Sequence, residues 1–192
     1  MGRFFQSFSL QVRKFFRSFS LFELILLAFL AACGVAAKPL ITALTHIVSG
    51  PLFIPGGALS GGLYMLFVIL GGALVEKRGA ATLVCVIQCI MVMVTGIVGT
   101  HGAASLLTYI APGLMVDLFL ALRKTTAFDS LSCFFGCIIA NVTGVYLTIL
   151  VFFKLPLILL PFPIMLAVFS GGIGGIVAWN IAKTIKKEKV MD

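Results

Sequence analysis

Two cysteine pairs, Cys85/Cys89 and Cys133/Cys137, sit four residues apart at similar depth in two apolar runs. Four thiolates so placed make a conceivable metal site, although cysteine is also a common small apolar residue inside helices. His46 and His101 can each ligate a metal or a haem-like iron, but two histidines without a third ligand are a weak set. No metal and no resident cofactor are therefore expected. Gln88 and Asn141 fall near the middle of their apolar runs, where an amide either hydrogen-bonds a substrate or joins two helices. Tyr64, His101, Thr108 and Tyr109 fall toward one end of theirs, together with Lys38, His46, Lys154 and a Pro- and Gly-rich stretch over 49–57. That end holds two lysines, two histidines and no Asp or Glu, so a cavity there favours a neutral or anionic ligand. The candidate substrate-binding residues are His46, Tyr64, Gln88, His101, Tyr109 and Asn141.

Two carboxylates lie within or beside apolar runs, where ionisable groups are costly and mark function by default. Glu23 is expected to pair with Arg17. Asp117 is expected to pair with Arg123 or Lys124, with proton coupling as its alternative role. Catalysis is not expected, because the chain has no Gly-x-Ser-x-Gly elbow, no His-Glu-x-x-His and no paired carboxylates in one helix. It also lacks a phosphate-binding Gly-x-x-x-x-Gly-Lys, so if the chain drives uptake the energy must come from elsewhere.

These residues must be positioned by helices in a membrane. Of 192 residues, 61% are hydrophobic and 10% charged, and the mean hydropathy is +1.20. A soluble domain carries about 25% charged residues. Apolar segments at 21–37, 58–75, 80–98, 103–122, 130–153 and 162–182 are each near the ~20 residues that a spanning helix needs. The expected fold is all-α and polytopic, with six transmembrane helices. Residues 99–102 read as a tight turn.

The net charge of +8 flanks the apolar runs, which points to a lipid surface and away from nucleic acid. Of the 14 Lys and Arg residues, all but Lys38 and Lys154 fall on one side of the six spans. Under the positive-inside rule both termini are cytoplasmic. No disulfide framework and no cleavable signal peptide are expected.

The chain divides into a basic, Phe-rich segment (1–20), the membrane domain (21–187) and a cytoplasmic tail (188–192). In the first, residues 3–10 and 14–21 echo each other at a spacing of 11, which suits either an amphipathic helix on the anionic inner leaflet or a disordered tail. Small residues recur at Ala28, Ala32 and Ala36, at Gly61-Gly62 and Gly71-Gly72, and at Gly171-Gly172 and Gly174-Gly175. Such stripes let helix backbones approach closely, either inside the bundle or against another subunit.

The six-helix pattern, the Ala28-x-x-x-Ala32-x-x-x-Ala36 stripe, the Gly-rich second helix, Lys77-Arg78-Gly79-Ala80-Ala81 and the Gly-rich last helix with its basic tail resemble one family. It is the substrate-binding S components of energy-coupling factor (ECF) transporters, over roughly residues 21–187. The Lys77–Ala81 motif is most similar to the hydroxymethylpyrimidine/thiamine type. The resemblance implies a subunit that captures a vitamin or other micronutrient in an outward-facing pocket closed by a loop near 49–57. It implies docking through Ala28, Ala32 and Ala36 onto a membrane T component that carries two ABC-type ATPases, in the plasma membrane of a bacterial or archaeal cell. Thr82, Cys85 and Gln88 stand where a cation binder would offer carboxylates. A neutral pyrimidine, an anionic vitamin or a tetrapyrrole bearing propionates therefore fits better than thiamine. A membrane subunit of another complex with no pocket, or an ion-coupled transporter using Asp117, are the competing readings.

Overall fold

The computed structural model describes residues 15, 17–49, 56–96, 104–153 and 159–191. Among these, all regular structure is helical. Six helices follow in order: α1 (Leu21–Ser49), α2 (Gly56–Val75), α3 (Ala80–Thr95), α4 (Ala104–Leu122), α5 (Ser130–Thr148, extended by a π-helical turn over Ile149–Phe153) and α6 (Pro161–Met191). Four of them contain spans long and apolar enough to cross a bilayer, while α3 and the apolar part of α4 are shorter. The polytopic, all-helical architecture expected from the hydropathy is present.

Several boundaries differ from those read in the sequence. α1 runs past residue 37 and through Pro39. Proline removes one backbone hydrogen bond, but a helix remains the conformation that satisfies most polar backbone groups in an apolar setting. α3 ends at Gly96, whose positive φ of 61° lets its N–H close back on the Val92 carbonyl, a common helix stop. α6 continues through its basic tail to Met191, where lysines suit the negative end of the helix dipole. The turn expected at 99–102 lies outside the described residues, and so does most of the expected loop at 49–57.

α2 is the central helix, with two thirds of its span buried inside the molecule. It packs against α1, α3, α5 and α6. Its glycines are the reason it can. An added Cβ at Gly62 would run into the Ser170 carbonyl of α6, and one at Gly174 of α6 would run into the Gly62 carbonyl. Gly61 similarly leaves room for Asn141 of α5, and Gly72 for the ring of Phe128, which is 1% exposed in the connection before α5. Polar ties reinforce this contact. The Gly62 N–H donates to Ser170 Oγ at 3.0 Å, and that hydroxyl donates to the Leu59 carbonyl at 2.6 Å. The glycine stripes of α2 and α6 thus serve packing within the bundle.

The end of the bundle that carries Arg17, Lys77, Arg78, Arg123, Lys124 and the α6 lysines is called here the basic end. Its ion pairs are Lys77–Glu23 at 2.6 Å, Arg123–Asp129 at 3.1 Å and Lys186–Glu76 at 2.5 Å. Glu23 therefore pairs with Lys77 where Arg17 was expected. It also forms a reciprocal capping box with Ser20 at the start of α1: Ser20 N–H donates to Glu23 Oε2 at 2.7 Å, and Glu23 N–H to Ser20 Oγ at 3.2 Å. Phe19 is buried beneath Lys77, and the Phe15 ring lies against Gly79. Phe15 and Phe19, ahead of α1, therefore pack on the α2–α3 turn. The rest of the Phe-rich repeat lies outside the described residues. Asp129 caps α5 by accepting from Ser132 N–H at 2.9 Å. Its hydrogen bonds with Ser132 and Arg123 hold its carboxyl below the usual carboxylate range.

Candidate functional site

Away from the basic end, three helices bring Lys38, Tyr64 and Tyr109 together. α1 extends inward with Leu27, Ala31, Gly34 and Lys38 on one face, spaced by three or four residues as a helix requires. By the helical rise of 1.5 Å per residue, Lys38 stands about 26 Å along α1 from Leu21. Its Nζ donates a hydrogen bond to the Tyr109 hydroxyl. The ammonium also lies 4.1 Å from the centroid of the Tyr109 ring and 5.1 Å from that of Tyr64. Ring faces attract a cation through their quadrupole, by about 0.5–2 kcal/mol each. Tyr64 is itself hydrogen-bonded to Ser60 of α2. No carboxylate among the described residues reaches ion-pair distance of Lys38.

The expected site residues divide by position. Tyr64 and Tyr109 meet directly. Gln88 is buried against Gly34, one turn from Lys38, beside Phe67, which is one turn from Tyr64. Asn141 lies apart: its Nδ2 donates to the Ala167 carbonyl at 2.8 Å, and its carbonyl end packs against Gly61. It thereby joins α2, α5 and α6. The side chain of His46 and all of His101 lie outside the described residues. Lys38 was visible in the sequence as a lone basic residue within an apolar stretch. That signal alone pointed to it, because its two tyrosine partners come from distant segments.

Asp117 has a different partner from the one expected. Its carboxylate accepts from the Gly79 N–H at 3.2 Å, from the Thr82 N–H at 2.8 Å and from the Thr82 hydroxyl. Arg123 instead bonds Asp129 and Ser132. The cap position of α3 is Gly79, which has no side chain and a φ of 84°. Asp117 thus supplies from α4 the anionic cap that α3 lacks, at the positive end of the helix dipole. Close approach of α4 is possible because Gly113 lies against the Ala81–Thr82 backbone, where an added Cβ would come within 2.8 Å. Asp117→Ala should cost about 2–4 kcal/mol, since it leaves several donors unpaired. Arg123→Ala should cost less than about 1 kcal/mol, because its ion pair is partly exposed. Detergent-unfolding curves of the two variants check this; equal losses would return Asp117 to the ion-pair role.

The cysteine pairs occupy helix contacts. Cys85 lies against Gly113, and Cys137 Sγ faces the Gly62 carbonyl at 3.7 Å. Among the described residues no three His, Cys, Asp or Glu side chains converge as a metal site would require. A groove on α6 is lined by Asn180, Ile181, Thr184 and Ile185; it belongs to the basic end, remote from Lys38.

Residues 22–143 match the model of a family described as "ABC-type cobalt transport system, permease component". The chain belongs to this family. Among solved structures, this permease-family chain resembles one described as "Crystal structure of an S-component of ECF transporter". The TM-score is 0.70 with 13% sequence identity, covering 90% of this chain and 88% of that one. At that identity the likeness establishes a shared fold. No curated protein matches. The permease is thus a membrane transport protein with the S-component fold, and its family is non-enzymatic. Neither match names a hydroxymethylpyrimidine or thiamine.

Proposed function

We propose that this permease-family chain is the substrate-binding subunit of an ATP-driven, ECF-type micronutrient or vitamin importer. The observation that carries the reading is a chain-long S-component fold that places a polar cluster, Lys38 with Tyr64 and Tyr109, in the half away from the basic end. The positive-inside rule puts the basic end and both termini in the cytoplasm, and the importer reading puts the chain in the plasma membrane of a bacterial or archaeal cell. The cluster then faces outward, where a ligand arrives, with His46, Gln88 and His101 as further candidate contacts, while Asn141 is left to its role of joining α2, α5 and α6. A neutral or anionic small molecule suits this half better than a bare divalent cation, because its described residues include no acid.

Docking is assigned to the open face of α1. Leu27, Leu30, Ala31 and Val35 face inward, while Ala28 and Ala36 are exposed beside Ile25, Phe29 and Leu40, with Ala32 half-buried between them. Small residues there leave a shallow track on which another helix backbone can lie closely. The partner is a T component bearing two ABC-type ATPases. A mild-detergent pull-down of the tagged protein from its native membranes, followed by mass spectrometry, tests this. Recovery of a membrane scaffold with two ATPases is the expected result. Recovery of a different stoichiometric membrane partner would overturn it.

A further inference from the structure

We propose that Lys38, held between Tyr64 and Tyr109, is an anion-receiving subsite, and that its ligand is a small organic anion, a ring system bearing a carboxylate or phosphate. This deepens the substrate-binding reading given above and rests on it.

Opposite charges lie far from Lys38. The acidic residues of the chain are Glu23, Glu76, Asp117, Asp129, Glu188 and Asp192. The first four are engaged at the basic end by Lys77, Lys186, the α3 N-terminus and Arg123. Glu188 lies in the last turns of α6, at the same end. Lys38 therefore carries its charge in an apolar half with no described carboxylate in reach. An ionisable side chain in an apolar setting is costly and is held by pairing with an opposite charge or with backbone carbonyls. The tyrosine rings steady the ammonium without neutralising it.

The hydrogen-bond inventory points the same way. An ammonium has three N–H donors, and the contact to the Tyr109 hydroxyl uses one. Having accepted from Lys38, that hydroxyl retains its own O–H to donate. A carboxylate or phosphate set against Lys38 would thus receive charge-assisted bonds from both groups. The Tyr64 and Tyr109 rings, whose faces hold the ammonium, would border the attached ring with their edges. Lys38, Tyr64 and Tyr109 are each half-buried, so none of the three is sealed in the helix core.

The test uses the full chain in phosphatidylcholine nanodiscs, titrated with benzoate and with benzamide, its neutral near-isostere, by ligand-observed NMR. Benzoate is expected to bind at least about tenfold more tightly than benzamide, as a charge-assisted hydrogen bond implies. Lys38→Met should abolish the preference and Lys38→Arg should keep most of it. Tyr109→Phe, which keeps the ring and the fold, should reduce it about threefold. Equal binding of the two probes by the wild type, or a preference that survives in Lys38→Met or is unchanged in Tyr109→Phe, would overturn the subsite. Adding phosphatidylglycerol to the discs separates the two sources of such an anion. Unchanged benzoate affinity supports a soluble ligand, whereas competitive loss would show a lipid headgroup in its place. A chain that assembles with scaffold and ATPases yet shows no benzoate preference loses the subsite and keeps the importer reading. One that binds benzoate through Lys38 but has no such partners keeps the subsite and loses the importer.

Discussion

Gly62→Leu is expected to destabilise the bundle by about 3 kcal/mol or more, at the upper end of the cost of overpacking a close-packed interior. Any side chain at Gly62 must displace the Ser170 backbone of α6, with Ser170 Oγ only 2.7 Å from the new Cβ. Neither neighbour can yield easily. Gly174 approaches Gly62 reciprocally, and the Cys137 thiol rests on the Gly62 carbonyl at 3.7 Å. Separating α2 from α6 would also break the Gly62–Ser170 and Ser170–Leu59 hydrogen bonds. Gly144→Ala supplies the contrast. Its added Cβ would meet Met65 and Pro112 at 3.4 and 3.6 Å, ordinary contact distances. Alanine is also the better helix former by about 1 kcal/mol, so this change should be neutral or stabilising. Unfolding curves in a mixed detergent series compare the two. Similar losses in both would mean that the α2–α6 contact is looser than described.

Ala32→Trp is expected to abolish recovery of the scaffold and ATPases while leaving the protein folded. The substitution places an indole in the middle of the small-residue track on α1, holding a partner backbone away over more than one turn. A loss of about a hundredfold in association, near 2.7 kcal/mol, is the minimum expected. The change points away from Leu27, Leu30 and Ala31, which form the inward face of the helix, so stability should move little. Met165→Trp on α6, at a residue 70% exposed, controls for a bulky residue on the lipid-facing surface and should assemble normally. Intact assembly of Ala32→Trp would remove α1 as the docking helix.

The six helices were legible because apolar runs near spanning length leave the backbone few alternatives. Their ends were less legible. Lys38-Pro39 reads as a stop in a soluble protein, yet α1 passes through it. The Ser20-x-x-Glu23 box at its start is local and was open to reading from spacing alone. Asp117 was assigned to Arg123 and Lys124 because they are near in sequence. Its actual partners are brought to it by the packing of α3 on α4, which no spacing reveals. The same holds for Lys38. Its isolation from every acid was plain in the sequence, but the two tyrosines that hold it come from α2 and α4 and meet it only in the folded bundle. Gln88 and Asn141 show how little a polar residue in an apolar run says by itself. One borders the Lys38 cluster and the other ties three helices through Ala167 and Gly61.

A substrate-binding subunit must hold a ligand of its own. Native mass spectrometry of the protein purified in mild detergent from its natural membranes tests that most directly. A single small organic molecule bound one to one is expected, retained by the wild type and released from Lys38→Met. A chain that carries no small molecule while remaining in stoichiometric complex with another membrane protein would contradict it, and would make the chain a structural subunit of that assembly.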